Sequence, residues 1–503
     1  MLQTLYGVPH IAARDAFLLH SSSCFSTQAM NILDLNSDVL SMILSFVSPP
    51  EAMQLALTCH NAYDVAMPRF LSEVTLGCTD SMSGPEQITL FCKYMLANIK
   101  DRLRHLRALE IKEGAFVSSS EQDGRETWVS DFSCAAILAD TLRQAVHLRK
   151  LNIVELEPLL ASQPAVGEAL SHLPRLTDVS FHYIGKCTLE MLKHTTCHPK
   201  RLEFGMWKDG SRVAGDTAAF DEYASSLQTL NLWQCACLLE SFSESYVSHG
   251  VRVLGLGGRV PLLSTISREF PNVRSITFAP ECSVEEETPS ASWPGLDLVE
   301  TSIPHPFFSC TVRRLELKYT LGTTLKRFSS NQVIARTVEL VRQTKPVVLS
   351  CVLEAALGGD YLDKLVNVMP QVRFLEIEFN PRELRVHDEV HDIEFWMNRH
   401  IPRLAKLPLV GISLQGSPRK RSDNVRETID KVAYAAAMHI PTLKYVGIGL
   451  PVKSYFSSGT GRSLTWFRVK MRMEGGEPLL EILNSGHGEA VRHEMRLLER
   501  VSS

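Results

Sequence analysis

Leu173-Pro174-Arg175-Leu176-Thr177-Asp178-Val179-Ser180-Phe181 is one copy of a pattern that decides the fold: apolar, Pro, any residue, apolar, two residues, apolar, one residue, apolar. The pattern returns at Phe270-Pro271-Asn272-Val273 with Ile276 and Phe278. It returns again at Met369-Pro370-Gln371-Val372 with Leu375 and Ile377, and at Ile440-Pro441-Thr442-Leu443 with Val446 and Ile448. Pro makes up 25 of 503 residues, so chance supplies on the order of 0.2 copies. Four copies, each after a helical stretch, mean a repeat. Pro cannot continue a helix and drives the preceding residue toward extended geometry. The chain therefore leaves a helix and enters a short strand whose alternate residues face inward.

The shorter form, φ-x-x-φ-x-φ with φ apolar, extends the series. It occurs at Leu106/Leu109/Ile111, Leu148/Leu151/Ile153, Leu227/Leu230/Leu232, Val251/Leu254/Leu256, Val312/Leu315/Leu317 and Leu464/Phe467/Val469, with a weak copy at Val348/Cys351/Leu353. By itself this form is common by chance, on the order of a dozen times in such a chain. Helix-like stretches precede the strands: Glu86–Lys100, Ala135–Ala145, Leu189–Thr195, Leu238–Val247, Leu262–Phe270, Val333–Val341, Leu362–Met369 and Val425–Met438. Spacings of 28 (148 to 176), 24 (227 to 251), 22 (251 to 273) and 21 (443 to 464) residues fit the roughly 20–29 of leucine-rich repeats. Others are longer, at 42 (106 to 148), 39 (273 to 312) and 60 (312 to 372). The expectation is an α/β fold: a degenerate leucine-rich-repeat-like solenoid, a horseshoe of short parallel strands over residues 77–475. Pro478 to Val501 reads as helical, which makes 476–503 a C-terminal helical cap, since terminal repeats need a polar outer face.

Composition agrees with a folded chain. Hydrophobic residues are 45% and charged residues 21%, with 52 Lys+Arg against 56 Asp+Glu and a net charge of -4. That balance excludes a whole-molecule basic field for nucleic acid. The longest mostly apolar stretch, Pro346 to Leu357, is too short to span a membrane. Residues 1–30 lack a basic start followed by an apolar block, so a secretory signal is not expected. The 12 cysteines are scattered, with Cys235 and Cys237 alone close together, and read as reduced intracellular thiols. A cytoplasmic or nuclear setting follows. Residues 1–31, Ser-rich around Ser21, read as a disordered extension. Glu281–Gly295 and Gly416–Asp423 read as loops, the second carrying Pro418-Arg419-Lys420-Arg421, a basic tetrapeptide of the kind used for nuclear import.

Chemistry-bearing motifs are scarce. No Walker loop, H-E-x-x-H, G-x-S-x-G or EF-hand sequence occurs. Gly255-Leu256-Gly257-Gly258 has Val260 where a dinucleotide fingerprint needs glycine, and reads as a tight turn. His194 and His198 lack a third ligand. Trp207, Trp233 and Trp466 lie on or just after strands, as anchors or as core. No enzyme, cofactor or metal is expected. A doubly wound enzyme would also alternate helix and strand, but its longer apolar strands and glycine-rich phosphate turn are not seen.

Ahead of the repeats, Ile32 to Leu76 has another texture. Val39, Leu40, Ile43, Leu44 and Val47 have helical spacing, with Ser37 as the cap and Asp38 in the first turn. Ser48-Pro49-Pro50-Glu51 combines the capping-box spacing with Pro at the first helical position. The second helix carries Met53, Leu55, Ala56, Leu57 and Cys59. A third begins near Asn61, with Tyr63, Val65 and Ala66, and Pro68 close to its end. Three short helices make a poor core alone and expose about 700–800 Å² for one side of a standard interface. Such a module needs a partner to cover it.

This segment, 32–76, resembles an F-box. Leu35 matches the family's first Leu, Val39 and Leu40 the next apolar pair, and Ile43-Leu44-Ser45-Phe46-Val47 the apolar run. Pro49 matches the Pro step, Met53 stands where Leu is usual, Leu55-Ala56-Leu57-Thr58-Cys59 matches the second helix and Tyr63 the aromatic. Asn36 replaces the family's Pro, and Ala62 its usual Trp or Leu. The remainder resembles, more loosely, the leucine-rich-repeat-like half of fungal F-box proteins. The resemblance implies a substrate receptor of an SCF ubiquitin ligase. Leu35, Val39, Leu40, Ile43, Leu44, Phe46, Val47, Pro49, Met53, Leu55, Leu57, Cys59 and Tyr63 would bind a Skp-type adaptor, and through it cullin and RING subunits. Ile43→Asp or Leu44→Asp would then abolish adaptor binding and leave the repeats folded. Substrate candidates are outward strand residues: Asp178, His182, Asn231, Trp233, Arg314, Glu316, Lys318, Glu376 and Arg468, which share no charge sign. The alternatives are a repeat-based interaction scaffold outside ubiquitin transfer and, for 32–76, an ordinary helical cap on the repeats.

Overall fold

The computed structural model describes residues 32–79, 82–122, 125–206, 220, 223, 225–242, 246–280, 282–284, 293–304, 308, 310–325, 328–354, 359–379, 393–416, 425–449, 464–470 and 476–500. The expected extension 1–31, the loop 417–423 with its basic tetrapeptide, most of the loop 281–295, and Trp207 lie outside them. The chain divides into two compact units, Met1–Leu230 with Ser241–Glu244, and Asn231–Glu240 with Ser245–Ser503.

The first unit opens with helices α1 (Ser37–Ser45), α2 (Pro49–Ala56) and α3 (His60–Ser72). Ser37 lies inside α1. The cap is Asn36, whose side chain accepts the Asp38 N–H at 2.9 Å. The Ser48–Glu51 capping box forms, with Ser48 N–H and Oγ donating to Glu51 Oε2 at 2.9 and 2.7 Å. These bonds hold the Glu51 carboxyl below the usual carboxylate range. Pro68 sits within α3, four residues before its last residue.

Strand β1 (Glu73–Leu76) follows α3 directly. Next come α4 (Gly84–Ala97), the short α5 (Ile99–Arg102), β2 (Ala108–Ile111), and a hairpin of β3 (Val117–Gln122) and β4 (Arg125–Ser130). The unit continues with α6 (Ala135–Gln144), β5 (Lys150–Ile153), α7 (Leu156–Ser162), α8 (Pro164–Ser171), β6 (Asp178–His182), α9 (Lys186–Lys193) and β7 (Arg201–Gly205). Strands β1, β2, β5, β6 and β7 pair in that order, all parallel. Val74, Leu76, Leu109, Ile111, Leu151, Ile153, Val179, Phe181, Leu202 and Phe204 are buried. The residues between them, Thr75, Glu110, Asn152, Ser180 and Glu203, point to the other face and are half-buried.

The unit boundary falls within β8 (Thr229–Trp233). The second unit holds β9 (Val253–Leu256), β10 (Arg259–Val260), α10 (Leu263–Glu269), β11 (Ser275–Phe278), β12 (Ser283–Val284), β13 (Leu296–Thr301) and β14 (Val312–Leu321). Then come α11 (Ser330–Thr344), β15 (Val348–Leu353), α12 (Gly359–Val368), β16 (Phe374–Phe379), α13 (Ile393–Leu404), β17 (Gly411–Gln415), α14 (Val425–His439) and β18 (Tyr445–Gly449). It ends with β19 (Thr465–Lys470), β20 (Leu479–Ile482) and α15 (Ser485–Arg496). From β9 through β11, β13 and β14 to β18 the pairing is parallel.

The architecture is thus mixed α/β, with N-terminal helices followed by a large, mostly parallel strand arrangement. All four Pro-led copies enter strands: β6, β11, β16 and β18. Two expectations fail. β19 and β20 are antiparallel, a pairing that needs no crossover helix. Among the described residues of Leu238–Val247, where a helix was expected, there is a 3-10 turn, Ala236–Ser241, in its place. A second periodicity marks the strand exits: Glu155 (φ 64), Tyr183 (φ 55), Gln234 (φ 60) and Gly258 (φ 81) are left-handed. Each stands two residues after an inward residue, namely Ile153, Phe181, Leu232 or Leu256. The Gly255–Gly258 run is therefore a turn.

The last helix is not an end cap. Val491 and Met495 of α15 pack with Val348, Phe374, Leu464 and Trp466, across one face of the strands. Glycines make room for the indole: a Cβ at Gly447 would lie 2.8 Å from Trp466, and one at Gly488 2.5 Å. The described cysteines are free thiols, most of them buried. Burial pushes the Cys351 thiol up to about 12, so it behaves as a small hydrophobe.

Candidate functional site

Helix α1 divides its apolar residues between two faces. Leu40 and Leu44 are buried toward the module's interior with Ala52, Met53, Ala56, Ala62, Ala66 and Met67. Val39, Met42, Ile43 and Phe46 lie on the other side at i, i+3, i+4 and i+7, which is one helix face. Their exposures are 44%, 65%, 36% and 86%. Leu57, just after α2, is 45% exposed. An aromatic ring as open as Phe46, within a continuous apolar stripe, is the signature of an interaction surface rather than of scattered surface hydrophobes. Full burial of each such side chain contributes about 1.5–3 kcal/mol, part of which association entropy offsets.

The ridge stands on a fixed base. Arg69 of α3 donates to the Val47 carbonyl at 2.8 Å and to Glu73 Oε1 at 2.7 Å. Tyr63 Oη and Tyr94 Oη lie 3.2 Å apart, tying α3 to α4. The module therefore has its own core and an anchored underside, and still presents a greasy edge.

Of the expected adaptor contacts, Val39, Ile43, Phe46, Leu57 and Cys59 are exposed, and Leu35, Val47, Pro49, Leu55 and Tyr63 are half-buried. Leu40, Leu44 and Met53 are buried and offer no surface to a second chain. They hold α1 and α2 onto α3, so a charge at Leu44 would disrupt the module itself. Met42 was overlooked, although its i+3 spacing from Val39 placed it on the ridge.

Residues 32–72 match the F-box domain family. The F-box thus ends with α3, and residues 73–76 form β1. No curated protein matches the chain.

The expected substrate residues fall into different settings. Asp178 and His182 are half-exposed on the strand face of the first unit. Asp178 accepts from Thr177 Oγ1 at 2.8 Å and has Arg201 Nε at 3.7 Å. His182 Nε2 lies 3.1 Å from Ser180 Oγ and 3.8 Å from Glu203 Oε1. Asn231 and Trp233, half-buried, flank Gly255. Arg314 pairs with Glu316, which also receives Lys318 Nζ at 2.9 Å. Arg468 is exposed beside Glu481 at 3.6 Å. Glu376 is buried under α15, where Arg492 Nε (2.9 Å), Arg496 Nε (3.0 Å), Arg496 Nη2 (3.0 Å) and Ser350 Oγ (2.7 Å) all donate to it. Burial pushes its carboxyl up, and the two guanidinium groups with Ser350 overcome that and hold it below the usual range. Glu376 is therefore committed within the chain. Its partners, Arg492 and Arg496, had no sequence signal beyond a basic helix.

Among the described residues no group of three His, Cys, Asp or Glu side chains could hold a metal ion. No described helix is long and apolar enough to cross a membrane.

Proposed function

We propose that the chain is the substrate-recognition subunit of an SCF-type E3 ubiquitin ligase. The single observation that carries this reading is the open Val39–Met42–Ile43–Phe46 ridge on an F-box whose interior is already filled. The ridge docks on a Skp-type adaptor, and through it on the cullin and RING subunits. The two α/β units, read as a degenerate leucine-rich-repeat-like solenoid of the fungal F-box type, hold a protein substrate. Transfer chemistry belongs to the other subunits, in the cytoplasm or nucleus.

The test is co-purification of a Skp-type adaptor with Phe46→Asp and with Met42→Asp. Each places a carboxylate where an apolar contact forms, and each is expected to abolish capture while leaving the thermal midpoint unchanged. Leu44→Asp is expected to lose capture and lower the midpoint as well. Undiminished capture by Phe46→Asp would remove the ridge from the interface. A wild-type chain that captures no adaptor, yet binds a protein partner, favours a scaffold outside ubiquitin transfer.

A further inference from the structure

In the second unit, α15 covers a transverse row of the strands, Glu316–Ser350–Glu376–Ser413, one residue per strand in register. The first unit carries a row of the same chemistry, Glu110–Asn152–Ser180–Glu203, also in register. Among the described residues no helix lies over it, and it lines a shallow depression of about 350 Å³. Asn152 Oδ1 is withdrawn from solvent and has no donor, a desolvation cost that an incoming N–H group would remove once the amide turns toward the depression. The covered row thus displays the occupant chemistry that suits the open one: guanidinium groups, as Arg492 and Arg496 supply to Glu376.

The neighbouring rows separate the two cases. Beside the covered row stand Arg314, Val348, Phe374 and Gly411, and Val348 and Phe374 are the platform on which Val491 and Met495 pack. Beside the open row stand Ala108, Lys150, Asp178 and Arg201, with charges at the two places that match Val348 and Phe374. With no apolar platform, the occupant is polar and its binding salt-sensitive. Strands lie about 4.8 Å apart, so Glu110 and Glu203, three strands apart, are separated by about 14 Å. An extended peptide covers that distance in about four residues.

We infer that this strand face binds an extended, polar polypeptide segment carrying two arginines about four residues apart, one directed to Glu110 and Asn152, the other to Glu203. The inference rests on the receptor reading only in making that segment part of a substrate.

The experiment uses the full chain and a fluorescein-labelled peptide, Arg-Gly-Ser-Gly-Arg within a Gly/Ser background, followed by anisotropy at low and high salt. Binding is expected at low salt, at least tenfold weaker when both arginines are glutamine, and at least tenfold weaker in Glu110→Gln/Glu203→Gln. Asn152→Leu is expected to weaken it severalfold. The control Glu168→Gln/Glu190→Gln makes the same charge change on the exposed helical side and should bind as wild type. Equal binding of the glutamine peptide, or equal loss in the control, overturns the inference, as does no binding at all. Phe46→Asp should bind the peptide normally, so loss of adaptor capture and loss of peptide binding are read separately.

Discussion

In the second unit, the Glu376 row is roofed by α15, with two arginines on the carboxylate and Trp466, Phe374 and Met495 packed beside it. In the first unit, a similar row of carboxylates and small polar residues faces outward beside Lys150, Asp178 and Arg201. The carboxylates themselves do not separate the two. The adjacent row differs at its centre: Arg314, Val348, Phe374 and Gly411 on the covered side, Ala108, Lys150, Asp178 and Arg201 on the open side. What separates the two is the Val348–Phe374 platform on which a helix of the chain packs; the first unit has Lys150 and Asp178 at the matching places.

The most severe way to break this contrast is Trp466→Ala. It removes the side chain around which Gly447 and Gly488 are fitted, and is expected to cost about 3–5 kcal/mol. Limited proteolysis should then cut near α15 before the rest of the unit; a helix that stays protected would mean the indole is dispensable. Glu376→Ala comes next. It leaves Arg492 and Arg496 facing a buried gap, at about 3–5 kcal/mol, whereas Glu376→Met should lose less. The carboxyl titrates lower folded than unfolded, so its stabilisation is complete above the ordinary carboxylate range. That contribution disappears as pH falls through the depressed folded value. Denaturant midpoints measured from pH 6 down to pH 3 should fall steeply in the wild type and less in Glu376→Ala. The smallest effect is Glu110→Gln in the open row. Its unfolding free energy should stay within about 0.5 kcal/mol of wild type, and a loss as large as that of Glu376→Ala would erase the distinction.

Much of this was legible from residue order. Pro cannot remain in a helix interior without cost, so the four Pro-led copies marked strand entries, and the weak copy at Val348/Cys351/Leu353 is β15. The capping box at Ser48–Glu51 was legible because its two bonds are local. Strands β1, β7, β13 and β17 went unseen because their residues break the Pro-led pattern: β13 enters through Trp293-Pro294-Gly295-Leu296 but ends on Thr301, and Pro199 and Pro408 stand out of register with β7 and β17. The buried state of Leu40 and Leu44 was also hidden, since periodicity places residues on one helix face without saying which face is covered. The hardest element was α15: Val348, Phe374 and Glu376 lie more than a hundred residues upstream of it, and no local pattern announces that Arg496 will meet Glu376.

That separation has a kinetic consequence. Arg313 donates to the Arg496 carbonyl across 183 residues, and Val348 and Phe374 leave the ribosome long before the helix that shelters them. Loop closure must precede that reward, so the second unit spends synthesis with an oily seam uncovered, a species prone to self-association. Folding of this unit should therefore be slow, completed only after α15 has emerged and helped by holdase chaperones.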